Sequence, residues 1–426
     1  MARFKVSKLS VVIYAFLNLI FIICVHLISD IPVSVGNWET KSALIASFKN
    51  PEDNFYPPGG AILLIPFLIL KPHYEIAIFF YFTLASVLYF FICEKIIKKT
   101  NLFLISLGAF TLNPYLLWLV HSSQDTVFEL FLLLSGFALV LKKNFFGAML
   151  PLYLLCLTRP AYWPSFLMLP VVYNLLCIRK DKKFLIKRTL VLIPFILLIL
   201  TLGINKVTFD HPELAGEAGM TAHFGHNKSW YIAMPKFDYD VFLSKGGNMD
   251  TNKLLLSSDK FSYVSNKEFR AALIYVVENP KSLFLNTLQK IDTYFFSVQK
   301  NPHLSGEYYL SSDQKSIVIG EKRDSWVLIL GSYLYFIHRA LLLIFLIASL
   351  TILVILPKVR NSIIYQPQFL FFIPYLFGSI AALLFLAESR FKVVSEMLLV
   401  PFIASILDAY KSQNLIINSK SKTFRV

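Results

Sequence analysis

Charge is what this sequence has least of. Only 16% of its 426 residues are Asp, Glu, Lys or Arg, against 56% that are hydrophobic. No soluble fold of this length needs so many Phe, Leu and Ile residues, so a water-soluble globular domain is excluded. Acids are scarcer still, 26 against 41 bases. The resulting +15 does not point to nucleic acid. Most Lys and Arg stand in short clusters between apolar runs, the pattern carried by cytoplasmic loops of membrane proteins. Cysteine is rare too. Cys24, Cys93, Cys156 and Cys177 all fall in or beside apolar runs, which argues against a disulfide framework and a cysteine metal site. Heptads and tandem repeats are lacking. No small-residue cleavage site follows the first apolar run, which therefore reads as an uncleaved anchor.

What the chain does have is apolar blocks of roughly 20 residues, the length that crosses a bilayer as a helix. They fall near 9–28, 75–94, 102–120, 126–141, 145–158, 161–177, 189–205, 327–355, 367–387 and 393–410. A further run, 58–71, is short for a span; Pro57 and Pro58 open it and Pro66 interrupts it. Charge decides its status. If it stays on one side, Lys95–Lys99, Lys142–Lys143, Arg179–Arg188, Lys358–Arg360 and the tail from Lys411 all share the side of Arg3, Lys5 and Lys8. If it crosses, the positive-inside bias is broken. The expectation is an all-α polytopic membrane protein with about ten transmembrane helices and both termini cytoplasmic. Its first outer loop is helical and surface-lying, and a larger, mixed outer loop domain follows. The chain divides into a transmembrane module, 1–205, with its first outer loop at 29–74. An extracytoplasmic domain, 206–325, a second transmembrane module, 326–410, and a cytoplasmic tail, 411–426, complete it.

On that topology the unusual polar residues gather on the non-cytoplasmic face, where ionisable groups are functional candidates. Glu39 opens the amphipathic stretch 39–49, in which Leu44 and Phe48 share a face. A carboxylate there is either a helix-start residue favoured by the helix dipole or a catalytic group. Asp30, Glu52 and Asp53 are its neighbours. NFYPPGG, Asn54–Gly60, sets Tyr56 against a double proline, with glycines that allow close backbone approach. Simple helix initiation is the plain alternative. HSSQD, His121–Asp125, is almost the whole of a short outer loop. LTRPAYWP, Leu157–Pro164, holds Arg159 among aromatics, where it either snorkels to the interface or grips a phosphate with its planar fork. ESRFK adds Glu388, Arg390 and Lys392 on the same side. In the long segment, Asn266–Phe296 has helical periodicity broken at Asn279–Pro280 into two helices. His223 and His226 have no obvious third partner for a metal, so they read as substrate contacts or loop structure.

The order of these features resembles the GT-C superfamily of integral-membrane glycosyltransferases. It is similar in particular to the polyprenyl-phosphate-sugar users that transfer aminoarabinose or mannose. The features are an acid after the first span, a surface helix, YPPG, a short outer loop with Asp, RP between spans, a large outer loop and a late E-x-R-F. They run in order over nearly the whole chain, though each is short. The resemblance implies a sugar donor carried on polyprenyl phosphate and a glycan, lipid or protein acceptor. It also implies an active site on the outer face of the cytoplasmic (inner) membrane. Glu39, where the family commonly has Asp, would be the general base, with Asp30 as its understudy. Arg159, Arg390, Lys392 and Tyr56 would serve the donor phosphate; Asp125, Glu388, His121 and His226 would orient the acceptor. No cofactor is fixed by the resemblance; a divalent cation, if used, would sit at Asp125. Two other readings stay open. A polymerase or ligase of lipid-linked glycans would call for more arginines than Arg270 and Arg323 in 206–325. A flippase or transporter would usually show paired halves, which the sequence lacks.

Overall fold

The computed structural model describes residues 7–29, 38–47, 58–71, 73–113, 116–117, 120, 126–178, 188–209, 214, 261–291, 308–310, 317–319, 326–384 and 390–423, some, Glu39 and Arg390 among them, by backbone alone. Its regular elements are helices, apart from two short strands. In chain order they are α1 (Lys8–Ser29), α2 (Trp38–Ala46), α3 (Gly59–Leu64, extended by a 3-10 turn Ile65–Leu70), α4 (Glu75–Ile96) and α5 (Thr100–Thr111). Next come α6 (Thr126–Leu141), α7 (Phe145–Thr158), a 3-10 turn Pro160–Tyr162, α8 (Trp163–Ile178) and α9 (Arg188–Phe209). Helices α10 (Phe261–Glu278) and α11 (Pro280–Ile291) meet at the expected break, with proline at the first helical position where its missing N–H costs nothing. Strands β1 (Tyr308–Leu310) and β2 (Ile317–Ile319) pair antiparallel with Tyr309 opposite Val318. Then follow α12 (Trp326–Ile355), α13 (Pro357–Ile364), α14 (Phe372–Leu384, preceded by a 3-10 turn from Pro367) and α15 (Arg390–Thr423).

Among the described residues five helices are long and apolar enough to cross a bilayer, over 8–27, 75–96, 190–208, 336–355 and 392–413. A sixth span arises if 357–364 and 367–381, bent by 82° where they meet, count as one. This is a membrane protein by its helices, and five or six of the ten expected spans are full-length helices among the described residues. Local causes shorten others. The block 102–120 breaks because α5 stops at Thr111 and the Asn113 Oδ1 accepts the Leu116 N–H, starting a new turn. Helices α6 and α7, at 16 and 14 residues, rise only about 24 and 21 Å against a hydrocarbon core of roughly 30 Å.

Aromatic contacts fix how the helices run. Tyr81, near the start of α4, touches Phe128 and Phe131 near the start of α6. Lys142, just past the end of α6, sits over the Phe91 ring near the end of α4, so α4 and α6 are parallel. Helices α6 and α7 form an antiparallel hairpin; Lys143 turns the chain at φ 60°, and the Asn144 Oδ1 caps α7 by accepting the Gly147 N–H. Helix α15 runs alongside: Phe402 packs on Phe369 and Phe372, and Asp408 accepts the backbone N–H of Lys98 at 2.9 Å. The starts of α4, α6, α8 and α15 and the end of α7 therefore share one end of the bundle, called upper below. Lys98, Lys142, Lys143 and Asp408 mark the lower end.

The segment 58–71 begins and ends at the upper end. Its first glycine rests on the last turn of α7, and its last residues lead straight into α4. Phe67 packs on Phe80 and Tyr81, and the Tyr81 hydroxyl donates to the Leu63 carbonyl at 2.8 Å. Close approach explains the glycine. A Cβ on Gly59 would stand 2.4 Å from Thr158 Oγ1, 2.5 Å from the Leu154 carbonyl and 2.6 Å from the Thr158 nitrogen. Two of these atoms are backbone and cannot swing away. Gly59→Ala is expected to cost about 1–3 kcal/mol, read as a lowered unfolding midpoint in detergent. Gly108→Ala, with open space around it, should leave the midpoint unchanged or raise it.

Candidate functional site

Among the described residues, seven charged side chains are buried: Lys41, Glu129, Lys290, Arg339, Lys392, Glu396 and Asp408. Asp408 belongs to the lower end, where the Lys98 amide engages it. The other six lie towards the upper end, a concentration that an apolar bundle does not need for its own packing. Buried charges persist only when paired or hydrogen-bonded, so each has a partner to be found.

The first group sits where α2, α3, α6 and α7 meet. Glu129 occupies the first turn of α6, and Arg159 caps the end of α7 in extended conformation. Because the two helices are antiparallel neighbours, these positions face each other, and the Arg159 Nε donates to the Glu129 Oε1. The Glu129 side chain is 2% exposed and that of Arg159 14%. Arg159 is thus held by an acid rather than reaching out to the interface. Alongside, Gly59 touches Thr158, and the Ser42 hydroxyl donates to the Ala61 carbonyl at 2.8 Å, tying α2 to α3. Helix α2 forms where the sequence expects it; among its described side chains Lys41 and Ser42 are buried and Leu44 is half-buried. The Ser42 contact ties this helix to the start of α3.

The second group joins α12 to α15. Glu396 lies 3.8 Å from Lys392, one turn before it on α15, and 3.9 Å from Arg339 on α12, with His338 next in sequence. Both separations are ion-pair distances rather than hydrogen bonds. Lys392 is fully buried, and Glu396 and Arg339 nearly so. The 3-10 turn that follows Arg159 packs against α14, and α14 runs along α15, which links the two groups across the upper end.

Lys290 on α11 is the remaining member. Its ammonium donates to the Leu383 carbonyl at 3.1 Å, closing the end of α14. Burial lowers its pKa from 10.5 to about 7. Where α11 is undocked, the lysine keeps its ordinary value. Docking is therefore weakest below pH 7, where the buried group must carry charge. It strengthens as pH rises from about 7 to 10.5, the window in which only the undocked form holds the proton. Hydrogen-exchange protection of residues 280–291, corrected for intrinsic exchange, should rise across that window. In Lys290→Met the pH dependence should vanish.

Of the candidate residues read from the sequence, Arg159 and Lys392 fall in these two groups. Glu39 lies on α2 and Arg390 opens α15, both at the upper end by backbone, their side chains outside what is described. Asp30, Tyr56, His121, Asp125, His226 and Glu388 lie outside the described residues. No cluster of three or more His, Cys, Asp or Glu able to hold a metal occurs among the described residues. Sequence reasoning passed over Lys41, Glu129, Lys290, His338, Arg339 and Glu396. The signal for three of them was present: Glu129, Arg339 and Glu396 are ionisable residues inside apolar runs. Comparison with protein-family models, curated proteins and solved structures returned no match for this chain.

Proposed function

We propose that this chain is a membrane-embedded glycosyltransferase that moves a sugar from a polyprenyl-phosphate donor to an acceptor hydroxyl. One observation carries the reading: buried and part-buried charged side chains concentrate at one end of an apolar bundle, the fully buried Lys392 and the part-buried Arg159 with them, at the end where α2 and the segment 58–71 lie. That is the placement expected of a site fed by a lipid-borne substrate from within the bilayer. Basic residues at the opposite end, Lys98, Lys142 and Lys143, support a cytoplasmic lower end and an extracytoplasmic upper end.

In this reading Glu39 takes the proton from the acceptor hydroxyl as its oxygen attacks the anomeric carbon. The bond from that carbon to the phosphate oxygen breaks, its electron pair stays on the phosphate, and the anomeric centre inverts. Charge therefore grows on the phosphate during the step. Cations aimed at it bind the transition state more strongly than the ground state, which is what accelerates a reaction. Arg159, Arg390 and Lys392 are assigned that role. Glu129 and Glu396 hold Arg159 and Lys392 in place, and the latter pair adds Arg339 beside it. Asp125, Glu388, His121 and His226 are left for the acceptor, and Tyr56 for the donor head group.

The test is an assay with a short-chain polyprenyl-phosphate sugar in proteoliposomes. Release of polyprenyl phosphate with the sugar transferred supports the reading; donor carried across the bilayer intact makes the protein a transporter. Orientation is checked separately. Lys253→Cys should react with an impermeant thiol reagent in intact cells, and reaction only after lysis would invert the topology.

A further inference from the structure

Helices α10 and α11 carry their large apolar side chains outward. Along α10, Phe269, Leu273 and Val277 recur every fourth residue with Ile274 beside them. Val277 is 79% exposed, and the other three lie between 41% and 51%. On α11, Phe284, Leu285 and Leu288 are 64%, 45% and 47% exposed. Among the described side chains of the same two helices, those of Ala272 and Lys290 are buried. A helix pair in water hides its phenylalanines and shows its lysines. Here Phe269 and Phe284 point outward while Lys290 points in, on two helices that are not among the candidate spans.

Two observations name what covers the outward side. The first is continuity with the lipid-facing surface. Lys290 fastens α11 to the Leu383 carbonyl at the end of α14, and Leu376 and Ile380, on the two turns of α14 before it, are 41% and 42% exposed. The outward side chains of α11 therefore prolong an apolar surface that a bilayer already covers. The second is charge. Arg270 and Lys281 are exposed within the apolar arcs themselves: Arg270 stands three residues before Leu273 and Lys281 three before Phe284. Basic residues set among apolar ones suit anionic head groups above acyl chains.

We propose that the α10–α11 pair is an interfacial anchor, lying in the lipid head-group layer at the upper end with Leu273, Val277 and Phe284 turned towards the acyl chains. The anchor holds the long segment between α9 and α12 down on the bilayer beside the buried charges. It rests on the membrane setting and not on sugar transfer, so either reading can fail without the other.

The experiment uses the full-length protein in nanodiscs, with Cys24→Ser and Cys177→Ser. Leu273→Cys, Val277→Cys, Phe284→Cys and Glu278→Cys are made singly, and each carries a small fluorophore. Lipid brominated near the head-group end of its chains should remove about half of the emission at the three apolar positions, because such helices sit roughly 5–10 Å into the boundary layer. Aqueous iodide should quench only the label at Glu278→Cys. Iodide quenching at all four would place the face in water. Protection from both quenchers would mean that protein, a second copy or a partner, covers it. Either result overturns the anchor.

Discussion

Replacing Glu39 by glutamine is expected to lower sugar transfer by about 10³-fold, the middle of the range for loss of a positioned base. Elution and unfolding midpoint of the purified protein should stay the same. The change is isosteric and removes only the ability to take a proton. A helix-start carboxylate favoured by the dipole contributes about 0.3–1 kcal/mol, so its loss would move the midpoint slightly and leave catalysis alone. The two roles therefore separate cleanly: rate without stability, or stability without rate. Near-normal turnover in Glu39→Gln would remove Glu39 as the base, and Asp30→Asn would then be the variant to measure.

The second large effect is at Arg159. Arg159→Ala is expected to destabilise the fold by about 3 kcal/mol, because it takes the guanidinium from an acid that is almost fully buried. Activity should fall as well, but a destabilised protein loses activity for trivial reasons. The double variant Arg159→Met with Glu129→Leu separates the causes. Exchanging a buried pair for apolar side chains of similar volume is often neutral, so the unfolding midpoint should largely return. Transfer should not return if Arg159 also stabilises the leaving phosphate. Recovery of both would leave the pair a purely structural role and take Arg159 out of the chemistry.

Much of the architecture was legible because it is written locally. Blocks of apolar residues announced a membrane protein, and Asn279–Pro280 announced where one helix gives way to the next. Helix α2 was foreseen from its pattern, but the burial of Lys41 and Ser42 was not, because Ser42 meets a carbonyl of α3. That contact joins residues distant in sequence, and no periodicity encodes it. Glu129 and Glu396 were missed for a related reason. Helices apolar all round have no polar side against which an acid stands out as misplaced, so position on the wheel says nothing about what it faces. Arg159 lies 30 residues from Glu129, and Glu396 meets Arg339 on another helix as well as Lys392 one turn away on its own. Five or six of the ten expected spans are long apolar helices among the described residues, and hydropathy does not register a helix that stops early, as α5 does at Thr111.

The tight turn at Lys143 has a consequence for how the chain enters the bilayer during synthesis. An unpaired ionised side chain at the centre of a helix in hydrocarbon costs about 2.5–3.5 kcal/mol on the scale set by translocon partitioning. Glu129 would bring part of that penalty with it were α6 released into lipid alone. Only three residues separate α6 from α7, so Arg159 reaches the membrane soon after, and the two opposite charges can leave the translocon neutralised by each other. The hairpin, rather than either helix, is then the unit of insertion. Lengthening the loop or delaying Arg159 should trap nascent chains at that stage.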